Sequence, residues 1–156
     1  MNYPITPAVR FLREEKVEFV PHLYDYVEHG GTRESAKQLG VDEHAVIKTL
    51  VFETNGKKPL IVLMHGDCEV SAKNLARHLG VKSVEPATAE KASKYTGYIF
   101  GGTSPFGLRT ASSVYVERSI FGLEKIFING GKRGFLVEID PAVLRSINAS
   151  EVEVAI

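Results

Sequence analysis

The chain has 156 residues, 44% of them hydrophobic and 24% charged, which suits one domain with a proper core. Nineteen basic residues balance nineteen acidic ones, so no global field holds nucleic acid, and any contact with RNA must be local, modest or helped by a partner. One cysteine, Cys68, excludes an internal disulfide and fits a reducing cytoplasm; no apolar run approaches the ~20 residues of a membrane span, and the start lacks the regions of a signal peptide.

Thr6-Pro7 predicts a first helix, with Thr6 as its cap and Ala8, Phe11 and Leu12 as its apolar stripe. Phe19 to Tyr26 reads as a strand, and Pro21 argues for a sheet edge or a strand start. After a loop from Val27 to Gly31, Thr32 is expected to cap a helix that ends at Leu39-Gly40. Residues 46–64 predict a hairpin: a β-rich run from Val46 to Phe52, the turn signal Asn55-Gly56, and a continuously apolar run from Pro59 to Met64. Ser71 caps a helix through Leu79, and Thr88 one to about Tyr95. Tyr98-Ile99-Phe100 reads as a short strand leading into Gly101-Gly102-Thr103-Ser104-Pro105-Phe106-Gly107. Val114–Val116, Ile126–Ile128 and Phe135–Ile139 are further strands, with Gly130-Gly131-Lys132-Arg133-Gly134 as a second glycine-rich turn. Asp140-Pro141 starts a last helix, and Val152–Ile156 is a candidate final strand. The expected fold is a single α/β (mixed α+β) domain over residues 1–156: a mixed, largely antiparallel sheet curled toward a barrel, with flanking helices.

The loop at 101–107 has three glycines and a proline in seven residues. Glycine lets backbones approach closely and proline stiffens the chain, so the remaining N–H groups can converge on an anion or a carbonyl oxygen. A tight turn between strands is the competing reading. The spacing of Gly102 and Gly107 suits a P-loop, but Leu108-Arg109 follows where Lys and Ser or Thr are needed, and no dinucleotide fingerprint occurs.

Lys48 interrupts an apolar strand. Alternation puts Ile47 and Thr49 on one face and Lys48 and Leu50 on the other. Such a lysine either protects a sheet edge or reaches a cleft as a site residue, and the pattern leaves both open. His22, His29, His44, His65 and His78 form no H-x-H or H-x-x-x-H pair, and no C-x-x-C exists, so no metal site is expected. Cys68 lies between Asp67 and Glu69, acids that raise a thiol pKa, and reads as a structural or incidental residue.

Four pieces of the chain then line up: Thr6-Pro7-Ala8-Val9, His22-Leu23-Tyr24, Val46-Ile47-Lys48-Thr49-Leu50, and the 101–107 loop. Gly130-Gly131-Lys132-Arg133-Gly134 is a fifth. In this order and spacing they resemble the YbaK family of trans-editing aminoacyl-tRNA deacylases, related to the editing (insertion) domain of bacterial prolyl-tRNA synthetase. The resemblance spans nearly the whole chain and is nearest to the Cys-tRNA(Pro) deacylase branch. It implies the fold above, a mischarged tRNA as substrate, a prolyl-tRNA synthetase as a partner, and no cofactor or metal. It also implies catalytic roles for Lys48 and for Gly101, Gly102, Thr103 and Ser104. Substrate contacts are implied at Tyr24, Pro105 and Phe106, and at Gly130, Gly131, Lys132 and Arg133. In the cysteine branch the substrate's own thiol attacks its ester; otherwise water does. The segment Val27-Glu28-His29-Gly30-Gly31 departs from that branch beside the expected pocket, which leaves the amino acid open. A tRNA- or synthetase-binding module without chemistry, and a small-molecule ester hydrolase, are the alternatives.

Overall fold

A computed structural model describes residues 2–156. Helix α1 (Pro7–Glu14) starts as its sequence directs: the Thr6 side chain accepts from the Val9 N–H, and Pro7 sits where a missing donor costs nothing. Strand β1 is only Val20–Leu23, shorter than the predicted Phe19–Tyr26. Beyond Tyr24, Gln38 takes both backbone groups of Asp25, each at 2.8 Å, and so replaces a strand partner. Gln38 belongs to α2 (Gly31–Leu39), which begins without a side-chain cap. Thr32 is not its cap; the threonine hydroxyl instead lies between the Glu43 carboxylate and the Gly66 carbonyl.

The predicted hairpin forms as β2 (Val46–Thr54) and β3 (Pro59–His65), paired antiparallel from Ile47 with His65 to Glu53 with Pro59. Ser71 caps α3 (Ala72–Leu79), β4 is Val84–Pro86, and Thr88 caps α4 (Ala89–Thr96). Tyr98–Phe100 does not form the expected strand, because left-handed Gly97 (φ 83°) ends α4 and turns the chain outward. The remaining strands are β5 (Ser113–Glu117), β6 (Ile126–Lys132), β7 (Phe135–Ile139) and β8 (Ser150–Val152). The last predicted helix is a 3-10 segment, Pro141–Ile147, capped by the Asp140 carboxylate.

The eight strands make one mixed sheet in the order β1-β7-β6-β2-β3-β5-β8, with β4 paired to β2 off that path. The fold class holds. The sheet is mixed and largely antiparallel, as expected: four of its seven strand pairings are antiparallel, the long β2–β3 hairpin among them. The end strands β1 and β8 are not paired to each other, so the sheet curls without closing. Pro21 on β1 suits an edge, since it has no N–H for a ladder. No helix among the described residues is long and apolar enough to cross a membrane.

The alternation on β2 organises both faces. Ile47 joins the larger core with α1, Phe106, Val116 and Phe135. Val46 faces the other way, into a small cluster with Ala36 of α2, Phe127 and Leu136. Phe52 lies further along that second face, packed with Leu75 and Ala76 of α3. Lys48 therefore falls between two apolar patches, one covered by α2 and the other by α3.

Candidate active site

β2 is central, so Lys48 is no edge lysine. Its side chain is 19% exposed, and the ammonium donates to the Cys68 carbonyl and lies 3.7 Å from the Glu69 carboxylate. Those partners follow β3, and they draw the ammonium toward the β3 side of β2. On the other side, β6 runs parallel to β2 but pairs only at Val46 with Phe127 and Ile47 with Ile128. β4 meets β2 again at Phe52–Thr54. Residues 48–50 thus have no strand partner on that side, and the sheet has a notch there. Strand parity aims the Thr49 backbone groups into it, since the Val46 carbonyl bonds on the β3 side and that of Val51 on the opposite side, to Ala87. The Thr49 hydroxyl is the only buried side-chain polar atom without a partner among the described residues. Sequence reading passed over Thr49; its signal is a second polar residue beside Lys48 in an apolar run.

The 101–105 loop closes on the β6–β7 hairpin. Asn129, one residue beyond the last β2–β6 pair, donates from Nδ2 to the Gly101 carbonyl at 3.2 Å. Its Oδ1 accepts from the Gly131 and Lys132 N–H groups, across the bulge where β6 loses register with β7. Gly130, Gly131 and Lys132 are therefore strand residues rather than a turn, and the reversal occurs at Arg133-Gly134. Arg133 donates from Nε to the Phe100 carbonyl at 2.8 Å and lies over the Tyr26 ring at 5.0 Å. Gly101 has φ 88°, and a Cβ there would stand 2.9 Å from the Tyr26 hydroxyl. A Cβ at Gly102 would stand 2.8 Å from the Arg133 nitrogen. Both positions need glycine, one for its torsion and one for close backbone approach.

The loop's donors divide. The Gly102 N–H is used on the Ile99 carbonyl at 2.8 Å. No protein acceptor is found for the N–H groups of Gly101, Thr103 or Ser104 among the described residues. Ser104 is wholly buried, and its hydroxyl accepts from the Phe106 N–H at 3.2 Å. Pro105 is buried, and Phe106, with no exposed surface, stacks on Phe11. Those two residues support the loop from inside. Tyr98 does the same: its hydroxyl donates to the Phe106 carbonyl, and burial pushes its pKa up to about 12. Tyr24 packs on the Val46 cluster, the face that carries Lys48, and burial raises its pKa. The structure thus joins the loop to Asn129–Arg133 and Tyr26, while the Lys48 ammonium is turned toward Cys68.

One grouping of metal-capable donors appears that sequence spacing did not reveal. Ligand atoms of His44, Asp67 and Cys68 lie within 4.8 Å of one another. Their elements meet because Ile47 pairs with His65, bringing the residues before β2 beside those after β3. His44 stacks on buried His65 at 3.6 Å and contacts Asp67 at 2.8 Å. Burial and the neighbouring Asp67 push the Cys68 thiol up, so it is a poor nucleophile and a poor ligand until deprotonated.

The model of the aminoacyl-tRNA editing domain family matches residues 29–147. This chain belongs to that family. The editing-domain match covers β2, the Lys48 strand and the 101–105 loop. A relative from Enterococcus faecalis, named provisionally as the Cys-tRNA(Pro)/Cys-tRNA(Cys) deacylase EbsC, is 31% identical over 91% of this chain and 87% of its own length. A proline–tRNA ligase from Streptococcus equi subsp. zooepidemicus is 33% identical over 69% of this chain, which spans only 18% of the ligase. Among solved structures, a hypothetical protein superposes with a TM-score of 0.87 at 23% identity, covering 96% of this chain and 99% of its own. A protein named provisionally as a trans-editing enzyme for prolyl tRNA synthetase gives 0.82 at 21% identity, over 97% and 98% of the two chains. These two likenesses fix the editing-domain fold.

Proposed function

We propose that this chain is a trans-editing deacylase that releases a mischarged amino acid from the 3′ end of tRNA, with cysteinyl-tRNA as the first substrate. The observation that carries the reading is the near full-length relation to the relative named as a Cys-tRNA(Pro)/Cys-tRNA(Cys) deacylase. The loop geometry suits ester chemistry. An aminoacyl ester is already activated, so the protein's task is to position it and to stabilise the oxygen on which charge develops. Among the described residues, the unpaired N–H groups of Gly101 and Thr103 are the donors available for that oxygen, because Ser104 is wholly buried; Gly102 contributes its small size rather than its N–H. Lys48 holds a phosphate or ribose of the terminal nucleotide after its flexible stem swings off the Cys68 carbonyl. With a cysteinyl ester, the substrate sulfur attacks its own carbonyl carbon, the bond from that carbon to the ribose oxygen breaks, and the thiol proton ends on the ribose hydroxyl. The products are a thiolactone and free tRNA. With other amino acids, water attacks in the same cradle. Prolyl-tRNA synthetase is the partner most consistent with the second relative.

Deacylation of a panel of mischarged tRNAs tests this. Release of cysteine faster than of other amino acids supports it. No release from any member by the folded protein, with tRNA still bound, turns the reading into the non-catalytic binding module. Cleavage of small esters alone turns it into the hydrolase.

A further inference from the structure

We propose that Phe100, with Tyr26 and Arg133, forms a stacking platform for the terminal base of an unpaired RNA 3′ end. The inference rests on the deacylase reading above and deepens it by naming where the nucleotide is held. Ile99 is 68% exposed and Phe100 62%, consecutive apolar side chains immediately before Gly101. A scattered exposed apolar residue is ordinary. This pair is different because the chain holds it out deliberately. Gly97 turns it away from α4, and Arg133 fixes the Phe100 carbonyl through its Nε. The guanidinium meanwhile covers the half-exposed Tyr26 ring.

The chemistry of the surroundings selects the occupant. Arg133 uses Nε on the protein and leaves its terminal nitrogens for a phosphate, while the exposed Lys132 stands next to it. At the other end of the segment the exposed Arg109 lies against Gly97, so cations flank both ends of residues 97–101. Aromatic faces interleaved with cations are how single-stranded nucleic acid is held without regard to sequence. An aminoacyl ester sits on the ribose of the last nucleotide. If its carbonyl lies at Gly101–Thr103, its base lies within one nucleotide's reach, and Phe100 adjoins Gly101 directly.

The test uses the full chain and an uncharged RNA minihelix with a 3′ CCA end, beside the same RNA with an abasic final nucleotide. Binding is read by fluorescence anisotropy, so it does not depend on turnover. Phe100→Ala is expected to weaken binding of the intact RNA roughly tenfold, within the range known for loss of one stacked base. Phe100→Trp should restore it, and the abasic RNA should bind wild type and Phe100→Ala alike. With charged tRNA, Phe100→Ala should raise KM by more than it lowers kcat. Equal binding of the intact RNA by wild type and Phe100→Ala overturns the platform, as does an equal penalty for the abasic RNA. A wild-type protein that shows the base-dependent binding but deacylates nothing overturns the deacylase reading and keeps the platform. Phe100 is exposed, and unchanged thermal unfolding of both variants confirms that the fold is intact.

Discussion

At the scale of single residues, Gly101 carries the sharpest expectation. Its φ of 88° is strained for any side chain, and a Cβ would press on Tyr26 and Arg133, the groups that hold the loop. Gly101→Ala should lower the single-turnover rate of deacylation by two to three orders of magnitude, the usual loss when one such donor is misplaced, about 3 kcal/mol. Pro105→Ala should lose less, because burial still confines the loop. Ser104→Ala should change the rate least but lower stability by about 1–3 kcal/mol, since it strips the buried Phe106 N–H of its acceptor. A Ser104→Ala protein that is stable yet the slowest of the three would mean that a side chain, not the backbone, does the chemistry. Lys48 is a separate case. Its ammonium makes one carbonyl bond and a loose contact with an 82% exposed glutamate, so the fold owes it little. Lys48→Ala should keep the melting temperature within a few degrees and lose at least a hundredfold in kcat/KM. A wild-type rate from the folded variant would remove Lys48 from the site. The strand pattern around Lys48 was legible because alternation is local; its partner at Cys68 was not, because it depends on how β3 returns.

At the scale of elements, the β6 bulge is what aims the loop, and sequence offered only two glycines and a lysine as its sign. Gly130-Gly131 looks like a turn because turn chemistry and bulge chemistry use the same residue. Asn129 decides the geometry: its carbonyl end holds the bulge and its amide end holds Gly101. Asn129→Asp keeps the acceptor and loses the donor. It should therefore retain most of its stability while deacylating at least tenfold more slowly, whereas Asn129→Ala should lose both. A wild-type rate from folded Asn129→Asp would show that the hydrogen bond to Gly101 is unimportant. A second joint fastens α4 to β2. Buried Glu53 accepts from the Tyr95 hydroxyl at 2.6 Å and lies 3.4 Å from the Lys91 ammonium. The Tyr95 hydrogen bond holds its pKa below the ordinary 4.5, outweighing burial, with Lys91 adding to the effect. A depressed folded pKa means the unfolded chain binds the proton more readily, so this contribution is full above 4.5 and fades as pH falls through the folded value. Thermal unfolding of Glu53→Gln should lie below wild type at pH 7, with the gap closing as pH falls below 4.5. A gap that stays constant with pH would mean that the glutamate's charge is irrelevant.

At the scale of the whole molecule, helix starts, the 46–64 hairpin and the mixed sheet were legible because Thr6, Ser71, Thr88 and Asn55-Gly56 act within a few residues. The open curl and the notch beside Thr49 were not, since both follow from β6 pairing with β2 over only two residues before diverging. Overall charge is the one global property that composition gives directly, and it bears on how RNA is met. With 19 basic and 19 acidic residues, attraction to RNA must come from local cations rather than a net field. The exposed cations by the loop are Arg109, Lys132 and Arg133. For single-stranded RNA, each neutralised phosphate contributes about −0.7 to the slope of log affinity against log salt, so three contacts give a slope of about −2. Removing Lys132 or Arg109 should flatten it by about 0.7 each, weakening all RNA sequences alike. Arg133 should cost more than its phosphate contact, because its Nε also anchors Phe100. Affinity measured from 50 to 200 mM salt decides the matter. A wild-type slope steeper than about −4 would require a basic surface beyond these three residues, and a slope near zero would mean that stacking alone holds the RNA.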